Sequence, residues 1–325
     1  MRDFVHEGAQ YGAAEVLLFD PVPAHRGTTR STLGMLGFKQ VVATSDVNEV
    51  AQNLAQKPFD VLIADLTAES ERICKLVRDI RQGVVGGNPF LTVLLTTWGV
   101  REDALNAVMN SGADDVLIRP YSVAFLAERV RTLVDARKAF VVTADYIGPD
   151  RRKNPDRASD KRLLEVPNTL RSKARPGASG ASETDVMSAV REVRVKVEEL
   201  RLVGTAFQVR LLSHFALKAG NDGTPLEKYV APLSAFSRLL HDKFHKASDS
   251  ALASAVVSLL EAVGFVVQGE DVIRSLETSS GCAKTIYECL CTGRDAAELE
   301  EEFANAIERL TQREARTLSQ RRAAG

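Results

Sequence analysis

Four short apolar runs in the first 120 residues each stop on a polar residue: Val16-Leu17-Leu18-Phe19 at Asp20, Val61-Leu62-Ile63-Ala64 at Asp65, Val93-Leu94-Leu95 at Thr96, and Val116-Leu117-Ile118 at Arg119-Pro120. Unbroken apolar runs of this length, separated by helix-length stretches, are the pattern of strands buried on both faces of a parallel sheet. Gln40-Val41-Val42-Ala43-Thr44 supplies a further strand. Helices are expected over about 24–36, 47–56, 69–81, 101–111 and 123–138, the first closed by Gly37 and the fourth by Gly112. Strict strand–helix alternation gives a doubly wound α/β sandwich with a five-stranded parallel sheet. The carboxyl ends of its strands share one rim, where ligands bind. Asp20, Asp65, Thr96 and Arg119 therefore converge at one mouth.

The 325 residues suffice for two cores, and a net charge of −1 leaves no global attraction to nucleic acid or membrane. No unbroken apolar run approaches the roughly 20 residues of a spanning helix, and the first residues lack the apolar stretch of a signal peptide. Four cysteines make no disulfide framework. A reduced, cytoplasmic setting is expected.

Composition divides the chain into an arm (1–13), the α/β domain (14–140), a tether (141–181), a helical domain (182–320) and a tail (321–325). Within 148–181 bases outnumber acids nine to four among many Pro, Gly and Ser, which reads as a flexible basic linker. Ser182-Glu183-Thr184-Asp185 has the form of an N-capping box. A helix follows with Val186, Val190, Val193, Val197, Leu200, Gly204, Phe207, Leu211 and His214 in alternating steps of four and three. Such a heptad seam needs a partner, and a homodimer through helix 183–218 is expected. Helices over about 226–245, 250–267, 271–291 and 295–316 complete an all-α bundle.

The N-terminal unit resembles the receiver domain of bacterial two-component response regulators. The likeness spans about 14–137, and Gly112-Ala113-Asp114-Asp115-Val116-Leu117-Ile118-Arg119-Pro120-Tyr121 carries it best. Tyr146-Ile147-Gly148-Pro149-Asp150-Arg151-Arg152 is similar to a tail that follows receivers in alphaproteobacterial regulators. The resemblance makes Asp65 the phospho-acceptor, Asp20 an acidic pocket residue, Thr96 the switch hydroxyl and Arg119-Pro120 the pocket's basic corner. It implies Mg²⁺ on Asp20 and Asp65, a histidine kinase or phosphotransfer protein as donor, and other signalling proteins as output partners.

Three positions depart from the family pattern: Pro21 stands where a second acid belongs, Arg119 where Lys belongs, and Val116 where the switch aromatic belongs. Pro21 offers no side-chain oxygen to a metal. Arg119 keeps the charge, but its planar fork favours bidentate pairing with carboxylates. Val116 is β-branched and has no inward and outward pose to exchange. The expectation is an atypical receiver with a weak or lost Mg²⁺ site, acting through protein contacts and not as an enzyme. The alternative is a phosphorelay protein accepting phosphoryl on Asp65; a DNA-binding regulator ranks below both, because no basic recognition helix is evident in 226–320.

Three further constellations read as structural. His241-Asp242-Lys243-Phe244-His245 mimics a zinc-protease pattern but has Asp for Glu and no third ligand. His214 sits on the seam, out of register with the phosphotransfer pattern, and reads as a packed polar residue. Cys282, Cys289 and Cys291 read as small buried hydrophobes. Trp98, after the fourth strand, is a candidate contact anchor.

Overall fold

The computed structural model describes residues 10–99, 102–152, 163–175 and 183–323. It divides into two compact units, with the boundary between Glu198 and Glu199.

The first unit alternates β1 (Glu15–Phe19), α1 (Pro23–Met35), β2 (Gln40–Thr44), α2 (Val47–Gln56), β3 (Val61–Asp65), α3 (Ser70–Arg81), β4 (Thr92–Thr97), α4 (Glu102–Met109), β5 (Asp115–Ile118) and α5 (Val123–Asp135). The strands are all parallel and lie in the order β2-β1-β3-β4-β5. This is the flavodoxin-like doubly wound order. Every residue of β3 and β4 is buried, which is why those segments read as continuous apolar runs. Alternate side chains serve two cores. Leu17, Phe19, Leu62, Ala64, Val93 and Leu95 pack with α2 and α3, whereas Val16, Leu18, Val61, Ile63 and Leu94 pack with α1 and α5. The helix starts follow local chemistry: Asp46 accepts from the amide of Asn48 (2.8 Å) at α2, and Ser122 from that of Phe125 (3.1 Å) at α5. Of the expected arm, Tyr11 stacks on Phe38 and Gln10 donates its amide to Ala174; positions 1–9 lie outside the described residues.

The described parts of 141–181 are not a flexible tether. Antiparallel strands β6 (Phe140–Val142), β7 (Ile147–Pro149) and β8 (Leu163–Leu164) form a small sheet in the order β7-β6-β8. A short helix, α6 (Thr169–Ala174), inserts Leu170 and Ala174 into the core shared by α1 and α5. Three of the described basic residues pair with acids: Lys173 sits 3.1 Å from Asp60, Arg175 lies 2.7 Å from Asp135, and Arg152 lies 2.8 Å from Asp150. Composition does not show this because a few well-placed apolar residues dock the segment, and Lys173 and Arg175 pair with acids of the neighbouring domain. Lys153, Arg157, Lys161, Arg162 and the Ser182 cap fall outside the described residues.

Helix α7 runs unbroken from Glu183 to Asn221 and so contributes to both units. In the first unit Val190 and Val197 are buried with Phe90, Phe140 and Ile147, and Val193 packs against them. The chain itself covers this half of the seam, so burying it takes no second copy. In the second unit α7 turns a shifted face inward, with Leu202, Ala206 and Val209 in the core. Helices α8 (Glu227–Phe244), α9 (Ser250–Gln268), α10 (Val272–Leu290) and α11 (Ala296–Ala323) complete it. Helix α9 is long and apolar enough to cross a membrane by length and composition. Ser254, Ser258 and Glu261 interrupt its apolar run, so the sequence shows no unbroken stretch there. Its Leu252, Val256, Leu259 and Val263 lie in the core of this unit, the placement of a central bundle helix.

Candidate functional site

The strand ends deliver the polar residues to one rim. Asp65 closes β3 and pairs in register with Thr96 on β4; Asp20 follows β1, and Arg119 follows β5. Backbone bonds fix these exits: the amide of Asp20 donates to Thr44, that of Leu66 to Thr96, and that of Arg119 to Thr97. The Arg119-Pro120 peptide is cis.

The side chains meet in a buried knot. Arg119 Nη2 donates to Asp20 Oδ2 at 2.8 Å and to Thr96 Oγ1 at 3.0 Å, while its Nε lies 3.7 Å from Asp65 Oδ2. Thr96 Oγ1 donates to Asp65 Oδ2 at 3.1 Å. The remaining carboxylate oxygens are also engaged: the amide of Val22 donates to Asp20 Oδ1 (2.9 Å), and that of Thr67 to Asp65 Oδ1 (2.8 Å). Asp20 and Thr96 are 0 % exposed, Asp65 2 % and Arg119 8 %. Arg119 Nε reaches no hydrogen-bond partner. One guanidinium thus spans both acids: a true hydrogen bond to the first, and a longer ion pair to the second. Pro120 is exposed beside the knot, and Val116 packs instead with the core under α2 and α3.

A second polar centre, which the sequence did not reveal, lies at the opposite ends of β4 and β5. Asp114 is held by Arg81 Nη2 (2.8 Å), Arg137 Nε (2.8 Å) and the amide of Val93 (2.8 Å). Arg81 also donates to the carbonyls of Gly112, Pro89 and Leu91. Burial pulls the Arg81 guanidinium down to about 10, against the upward pull of Asp114. Burial alone would raise the Asp114 carboxyl, but Arg137 and Arg81 outweigh it and hold the group below its ordinary value. The two guanidiniums also lie over the Phe140 ring, at 5.2 and 5.1 Å from its centroid. The available signal was the Arg that follows the apolar stripe Ile73, Val77, Ile80 on α3.

The other singled-out residues have partners of their own. His214 packs against the rings of Phe215 and Phe303 (5.4 and 5.8 Å). His241 and His245 stack at 4.9 Å, and Asp242 is 83 % exposed. Among the described residues no group of three or more His, Cys, Asp or Glu is arranged to hold a metal. Cys282, Cys289 and Cys291 form no disulfide, and burial raises each thiol. Trp98 is half-exposed and tilts against His25 at 5.3 Å.

No family model and no curated protein sequence matches this chain. Similar solved structures exist for the N-terminal unit. A response regulator from Thermotoga maritima is 22 % identical, over 38 % of this chain and 98 % of its own, with a TM-score of 0.34. A signal receiver domain of a two-component histidine kinase from Clostridium thermocellum is 16 % identical over 38 % and 98 %, at 0.34. Vibrio cholerae chemotaxis protein CheY4 is 22 % identical over 36 % and 96 %, at 0.33. Strand order and register define the fold.

Proposed function

We propose that this chain is a signal-transduction response regulator whose receiver is atypical: a closed, protein-binding module whose output runs through protein contacts of the helical unit. The carrying observation is Arg119, whose guanidinium occupies the space between Asp20 and Asp65. Phosphoryl transfer to a carboxylate depends on positioning and charge neutralisation. Mg²⁺ demands octahedral oxygen ligands and usually binds through one or two carboxylates and waters. Here each oxygen of Asp20 and Asp65 already accepts from Arg119, Thr96 or a backbone amide, and Pro21 has no side-chain oxygen. These residues do not fit a resident Mg²⁺. The positive charge of Arg119 neutralises both acids in its place, so the pocket rests in a paired state.

The test is exposure of the full chain to acetyl phosphate and Mg²⁺, read by intact mass. The wild type is expected to gain no stoichiometric phosphoryl mass. Arg119→Lys combined with Pro21→Asp is expected to gain one, which Asp65→Ala in that background removes. A stoichiometric, Mg²⁺-dependent gain in the wild type, lost in Asp65→Ala, overturns the closed reading. It would favour a phosphorelay protein instead, the reading supported by the Asp65–Thr96 pairing.

A further inference from the structure

We propose that residues 146–152 are a clasp that ties the corner between α4 and β5 to the first half of α7, so that the state of that corner sets how firmly α7 is held. The clasp lies wholly within the first unit and does not depend on whether Asp65 takes a phosphoryl group.

On the corner side the fit is backbone against backbone. Gly112 has φ +89°, and a Cβ there would lie 2.3 Å from the carbonyl oxygen of Ile147. A Cβ on Gly148 would lie 2.7 Å from the Cα of Gly112 and 2.9 Å from the Tyr146 ring. Neither glycine can carry a side chain without the two segments parting. The Tyr146 hydroxyl donates to the carbonyl of Pro149 (2.8 Å), folding the segment on itself. Arg151 then reaches back into the corner: its Nη2 donates to the carbonyl of Ala113 (2.5 Å), and its Nη1 approaches Met109 Sδ at the end of α4 (3.4 Å). Arg152 closes the strap on Asp150 through Nε and Nη2 (2.9 and 2.8 Å).

On the helix side the same strand presents an apolar face. Ile147 lies in one buried cluster with Phe90, Phe140, Val190 and Val197. Phe140 is itself pinned under Arg81 and Arg137, the cations that hold Asp114 at the start of β5. Arg194 adds a bond from α7 to the carbonyl of Gly83 (3.1 Å). A continuous series of contacts therefore runs from Met109 and Ala113, through Arg151, Gly148 and Ile147, to Val190 and Val197. Packed contacts of this kind carry energy between sites only when loosening one end loosens the other, and that is what the experiment reads.

Hydrogen exchange of the full chain is followed by mass spectrometry in the wild type, Arg151→Gln, Met109→Ala and Gly148→Val. Arg131→Gln, on the outer surface of α5, is the control. Arg151→Gln and Met109→Ala are expected to speed exchange over 186–197 by about tenfold, since a part-buried charged hydrogen bond or a packed side chain is lost. Exchange in β1 and β3 stays at the wild-type rate, and the control matches the wild type throughout. Gly148→Val gives a larger effect in the same peptides. Unchanged exchange over 186–197 in Arg151→Gln overturns the proposal, and so does acceleration shared equally by β1 and β3. Because Arg151→Gln preserves both glycines, it decides the matter even if Gly148→Val fails to fold.

Discussion

At the scale of single residues, the two buried ionic groups differ in legibility. Asp65, Thr96 and Arg119 could be placed from sequence because each ends an apolar run, and parallel strands bring such ends together. The guanidinium's preference for carboxylate forks pointed to a clamp on Asp65, but the hydrogen bond goes to Asp20 and Asp65 receives only the longer ion pair at 3.7 Å. The Arg81–Asp114–Arg137 group could not be read, because its partners come from a helix, a strand start and a helix exit that no local pattern links. Removing one partner from a buried pair leaves a desolvated charge. Asp114→Asn is therefore expected to cost about 3–5 kcal/mol, read from the shift of the urea midpoint of the first unit. His214 permits a test by pH. Burial lowers its pKa, helped by Lys218 and Arg210. With the folded pKa below the unfolded one, the unfolded chain takes up a proton first as pH falls. The stability held above the unfolded value of about 6.5 is therefore lost progressively below it, down to the folded pKa. Melting curves recorded either side of that value should show a larger drop for the wild type than for His214→Gln.

At the scale of elements, long periodic segments were readable and short ones were not. The five parallel strands and the bundle helices follow unmixed patterns, apolar runs in the first and 3.6-residue periodicity in the second. Strands β6, β7 and β8 span three, three and two residues. No periodicity can show in so few positions, and their charged surroundings hid them further. The seam of α7 was visible but its partner was not, since heptad spacing states only that a face is buried. Asp249 accepts from the amides of Ala251 and Leu252 at the start of α9. Asp249→Ala is expected to destabilise the helical unit by about 1 kcal/mol, measurable as a lower denaturation midpoint for that unit.

At the scale of the whole molecule, two compact units, each packed around its own apolar clusters, imply two cooperative units. Leu259 is wholly buried in the helical core, and Leu62 in the sheet. Scanning calorimetry is expected to resolve two transitions. Leu259→Ala should shift one of them and Leu62→Ala the other, each by a loss of about 2–5 kcal/mol. A single transition lowered alike by both substitutions would show the cores to melt as one. Composition placed a loose tether over 141–181 between the two domains, whereas the boundary between the two compact units falls inside the 39-residue helix that follows it. That helix has a geometric consequence. Inserting one alanine after Glu198 would rotate the downstream half of the helix by about 100° against the upstream half and push it about 1.5 Å along the axis. Seven inserted residues would restore the original azimuth to within about 20° while lengthening the rod by about 10 Å. A regulator that signals by twisting this rod would survive the seven-residue insertion and fail with the single one; one that signals by reach would show the reverse.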